Sequence, residues 1–69
     1  MKHNQKQYLA RRLHLPTREV LERYVVHVRD GIVLNWHPFE HESQSMILAE
    51  ELYVGNDADG VLVLESVNL

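Results

Sequence analysis

The sequence predicts an all-β chain: a meander of about five antiparallel strands, curled into a half-barrel or sandwich, in one small domain. Three observations carry that expectation. Asp30-Gly31 lies between two apolar, β-branched runs. Asp-Gly is the pair a type I′ hairpin turn calls for, because both central residues need positive φ. A second turn cluster, Gly55-Asn56-Asp57-Ala58-Asp59-Gly60, separates two further apolar runs. Third, the 69 residues are 45% hydrophobic and 25% charged, the proportions of a globular protein. No apolar run reaches the roughly 20 residues of a membrane span.

Taken in order, Met1-Lys2-His3-Asn4-Gln5-Lys6-Gln7 is polar, lacks the apolar centre of a signal peptide, and reads as a flexible tail over residues 1–7. Leu9, Arg11, Leu13 and Leu15 then alternate with Tyr8, Ala10, Arg12 and His14, a half-buried strand. Pro16-Thr17-Arg18 makes a short connection. Residues 20–29 compete between two periods. Val20, Leu21, Tyr24, Val25 and Val28 fit one helical face, but Tyr24-Val25-Val26-His27-Val28 is rich in β-formers and runs into the Asp-Gly turn, so a strand is expected. A plain two-residue hairpin sets Val28 opposite Val33, Val26 opposite Asn35, Val25 opposite Trp36 and Tyr24 opposite His37. Pro38 suits a strand end, where a missing N–H is tolerated. Glu40 to Ser45 is polar and reads as a loop. Residues 46–54 have good helix propensity, with Ser45 as a cap; a strand is the expectation and a helix the alternative. Val61-Leu62-Val63-Leu64 reads as a buried strand. Asp57-x-Asp59-Gly60 is a turn, since the flanking positions of a calcium loop are Gly55 and Ser66 rather than carboxylates.

A chain this short buries only about 60% of its unfolded surface and gains little margin from its own core. With no Cys it has neither disulfides nor thiolate zinc sites to compensate. Both faces of the predicted hairpin are substantially apolar, so a second layer or a second copy is expected to cover one of them. Charge order adds to this. All seven basic residues fall in the first 29 positions, and from Asp30 onward there are eight acids and no Lys or Arg. The basic strands could lie beside the acidic ones in the same chain; the expectation is that the basic early strands of one copy meet the acidic late strands of another. Nucleic acid is not expected as a partner, because the basic half has no binding motif and few aromatics. The expected setting is cytoplasmic, with no membrane partner. Trp36, Val25, Leu34, Tyr24, Arg11 and Arg23 are the candidate interface residues.

Val25 to Val33 followed by Trp36-His37-Pro38-Phe39 resembles the hairpin of the small β-domain that accompanies metal-dependent amidohydrolases. The stretch from Ala10 to Leu64, with Pro38-Phe39-Glu40-His41-Glu42 as an acidic loop, resembles more closely short stand-alone β-proteins of gut Bacteroidetes. The resemblance implies an all-β meander and, as one alternative, an accessory domain working with a larger catalytic partner that acts on carbon–nitrogen bonds. It carries over no active site, because the metal ligands of those hydrolases sit on a separate barrel domain that begins with a His-x-His pair.

Catalytic residues are not expected. Ser43, Ser45 and Ser66 lie in no nucleophile motif, and Glu50 and Glu51, as neighbours on a strand, point to opposite faces. No cofactor is implied. His37 and His41 share a His-x-x-x-His spacing, and with Glu40 and Glu42 they are the candidate metal ligands, although Pro38 argues against a helix there. His27 reads as a partly buried histidine. The function expected from the sequence is therefore a non-catalytic, self-associating interaction or assembly module.

Overall fold

The computed structural model describes residues 5–41 and 46–69. They form five strands and no helix: β1 (Gln5–His14), β2 (Val20–Arg29), β3 (Ile32–Pro38), β4 (Met46–Asn56) and β5 (Leu62–Asn68). The all-β expectation holds. One local reading changes and one open choice is decided as expected. The strand begins at Gln5, where a tail was expected through Gln7, because Gln5, Lys6 and Gln7 pair with Arg29, Val28 and His27. Residues 46–54 settle as strand against their helix propensity, since β4 gains neighbours on both sides.

The strands close into a barrel in the order β1-β2-β3-β5-β4. The first three follow the expected meander. The chain then crosses to β4, which lies parallel to β1 with Leu9 beside Leu48 and Leu13 beside Leu52. β5 returns antiparallel to β4 and fills the place between β4 and β3. A simple meander would have left β1 and β5 to find each other; the crossover instead puts the basic first strand against the acidic fourth.

Turn chemistry matches the residues. Asp30 and Gly31 have φ of 51° and 83°, as the type I′ hairpin needs. Between β1 and β2, Leu15 N–H donates to Glu19 O (2.9 Å) and Arg18 N–H to Leu15 O (3.0 Å). Between β4 and β5, Asp57 Oδ1 accepts from the N–H groups of Asp59 (2.8 Å) and Val61 (2.9 Å). That carboxylate is occupied in shaping a turn.

The core is built from Tyr8, Ala10, Leu13, Val26, Val28, Val33, Leu52 and Val54, with Leu21, Tyr24, Trp36, Ile47, Leu62, Leu64 and Val67 packed around it. These positions share a pattern. Each strand alternates in the ordinary two-residue period but breaks step once, so that inward residues stand three apart: Ala10 and Leu13, Leu21 and Tyr24, Val33 and Trp36, Leu64 and Val67. In β4 the same step separates buried Ala49 and Leu52. Two successive residues are passed over each time: Arg11-Arg12, Glu22-Arg23, Leu34-Asn35, Glu50-Glu51 and Glu65-Ser66. Such steps bend strands around a small barrel. In β2 the step coincides with a φ of 59° at Arg23. In β3 and β5 it is a bulge, with Leu34 and Glu65 as the extra residues.

The β3 bulge revises the hairpin. Val28 does pair with Val33, but beyond it His27 pairs with Asn35, Val26 with Trp36, Val25 with His37 and Tyr24 with Pro38. Trp36 therefore joins the face of Val26 and packs on the core. His37 moves to the opposite face, beside His27.

Candidate functional site

Three parts of the surface gather chemistry-bearing side chains. The first lies where the steps of β1 and β4 run side by side. Arg11 Nη1 stands 3.5 Å from Glu50 Oε2, with both side chains largely exposed. Arg12 Nε donates to Glu51 Oε2 at 2.6 Å, and its Nη2 also donates to that oxygen. The other oxygen, Glu51 Oε1, accepts from His14 Nε2 at 2.6 Å. The His14 ring stacks on Tyr53 with centroids 4.1 Å apart. Hydrogen bonds from Arg12, and then from His14, hold the Glu51 carboxyl below its ordinary range. A carboxylate stabilised in this way is a weak base and a poor proton donor near neutrality. Glu50 and Glu51 both pair with arginines of β1, so the expectation that they address opposite faces is corrected: both belong to the outward step. Arg11 and Arg12 thus find acidic partners within their own chain, where the expectation was that the basic strands meet the acidic strands of another copy.

The second is a cleft of about 530 Å³ lined by Leu9, Leu48, Leu69, Arg11, Arg23 and Glu50 among others. Leu48 is 61% exposed there. The third is the histidine pair. His27 Nε2 and His37 Nε2 are 2.9 Å apart. The rings tilt by 34° with centroids at 5.0 Å. His37 Nδ1 donates to Pro38 O at 3.1 Å, which leaves its Nε2 as an acceptor for His27 Nε2–H. Burial, and then the nearby His37, keep the His27 imidazole below its usual pKa.

The residues singled out from sequence divide as follows. Arg11 and Arg23 line the cleft, Arg11 being held by Glu50. Leu34 is 47% exposed at the β3 bulge. Tyr24 and Trp36 are half-buried against the core. Val25 is 1% exposed, yet it pairs with His37 on the face opposite Val26 and Trp36 and lies outside the central core cluster. Of the candidate ligands His37, His41, Glu40 and Glu42, the last lies outside the described residues. Among the described residues no three His, Asp or Glu side chains converge on one point. The partner His37 does find is His27, ten residues away, which sequence spacing did not single out; the bulge that joins them has no marker in the sequence. Comparison with family models, with curated proteins and with solved structures returns no match.

Proposed function

We propose that this chain is a non-catalytic assembly module whose partner is a second copy of itself, joined edge to edge along β3. The observation that carries this reading is the seam of the barrel. β3 and β5 pair at Ile32 and Val63, with Leu64 N–H donating to Gly31 O at 2.9 Å. Among the described residues, β3 beyond Ile32 is paired only on its β2 side. An open strand edge offers unpaired N–H and C=O groups, and soluble proteins ordinarily guard such edges with charged side chains. The β3 sequence Ile-Val-Leu-Asn-Trp-His-Pro contains no Lys, Arg, Asp or Glu. Two copies can lie antiparallel across a two-fold axis without charge repulsion, and half-exposed Ile32 and Leu34 supply apolar area beside the new ladder. The basic and acidic strands of one chain already neutralise each other, so the contact between copies is expected to respond little to salt.

Sedimentation equilibrium at micromolar concentration tests this. A dimer that dissociates in Leu34→Lys but persists in Leu48→Lys, both folded by circular dichroism, supports it. A wild-type monomer across that range refutes it, and so does a dimer that Leu34→Lys leaves intact.

A further inference from the structure

We infer that the outward cleft across β2, β1 and β4 binds a small monocarboxylate with an apolar tail, an anion of the fatty-acid type. Register sets the outward side chains of these strands in rows. One row is apolar: Leu48 pairs with Leu9, and Leu9 with Val25. Leu48 is exposed and Leu9 half-buried, so the barrel leaves this apolar floor partly uncovered. One two-residue step along the strands, roughly 7 Å away, lies a charged row of Glu50, Arg11 and Arg23. Leu9, Leu48 and Leu69 line the cleft of about 530 Å³ together with those three charged residues. That volume lies within the range of small-ligand sites.

The charged row does not balance itself. Arg11 meets Glu50 at 3.5 Å, with both side chains largely exposed, and such a pair is weak. Glu22, the other acid of the cleft, stands in register with Arg12. Among the described residues no carboxylate lies within salt-bridge distance of the Arg23 guanidinium. The phase step of β2, with φ of 59° at Arg23, turns Glu22 and Arg23 outward in succession and sets Arg23 at the rim of the cleft. A guanidinium receives a carboxylate through two parallel N–H donors. A neutral apolar molecule would leave Arg23 unused, and a dianion would meet Glu22 and Glu50. A single carboxylate on Arg23, with its tail over Leu9 and Leu48, uses both rows. The site needs one chain only, so it stands or falls apart from the pairing of copies along β3.

The test titrates the full chain with octanoate, followed by the methyl resonances of Leu9 and Leu48. Saturation at one site per chain is expected, with acetate and 1-octanol each at least tenfold weaker. Arg23→Gln is expected to weaken octanoate at least fivefold, and Leu48→Ser at least threefold. Arg29→Gln, which removes an exposed arginine of β2 outside the cleft, is expected to leave it within twofold. 1-Octanol that binds as tightly as octanoate overturns the proposal, and so does a folded Arg23→Gln variant that keeps octanoate affinity within twofold. Should Arg23→Gln not fold, the unaltered chain decides: octanoate that shifts neither leucine sinks the site.

Discussion

The β1–β4 side of the barrel and its β3–β5 side solve the same problem with different materials. Both must turn a strand outward for two residues so that the sheet can close. On the first side those residues are Arg11-Arg12 and Glu50-Glu51, and parallel register aligns them into the pairs Arg11–Glu50 and Arg12–Glu51. On the second they are Leu34-Asn35 and Glu65-Ser66, which form no ion pair, and β3 and β5 share one bridge. The contrast teaches that the closure of a small barrel need not be uniform. A continuous ladder over buried leucines carries one side; the other is held at a corner beside the Asp-Gly turn, and among the described residues β3 beyond Ile32 is paired only with β2.

The largest expected effect breaks the stronger side. Leu52→Ala removes a side chain with no exposed surface and should cost about 2–5 kcal/mol, whereas Ile32→Ala, at 43% exposure in the seam, should cost about 1 kcal/mol or less. Urea denaturation of the two variants measures the difference, and equal losses would erase the asymmetry. Next is Gly31→Ala, expected to cost about 1 kcal/mol because its φ of 83° is unfavourable for a residue with a Cβ. There is open space around that Cβ, so the loss in the same assay isolates backbone strain from packing.

The smallest effect concerns the charged step. The Glu51 carboxyl is held below its ordinary value of 4.5 in the folded chain, so its contribution to stability is present above that value. It fades as the pH falls through the lower folded value. Glu51→Gln should therefore melt below the wild type near neutrality, and the two melting curves should converge in acid. A gap of constant size at every pH would show that the carboxylate's charge contributes nothing.

Much of the fold was legible because turns and strands are local. Asp30-Gly31 announces its hairpin through the positive φ of both residues. Pro38 ends β3, and Asp57 organises the last turn with its own carboxylate. The phase steps were far less legible. A strand that buries Leu21, Tyr24 and Val28 shows spacings of three and four, which is why residues 20–29 also fitted a helical face. The pairing of His27 with His37 was hidden for the same reason, since a plain two-residue hairpin sends His37 toward Tyr24 and Trp36 toward Val25.

By itself the chain's sequence determined the number of strands, the places where they turn and the separation of basic from acidic halves, all properties of neighbouring residues and their intrinsic preferences. Only the tertiary structure decided that β4 lies against β1, that the opposite charges meet within one molecule, and that a bulge exchanges Trp36 for His37 on the outer face. These follow from closing a twisted sheet around a small core. The closure sets where each strand must break step, and every break reverses the faces of all residues beyond it.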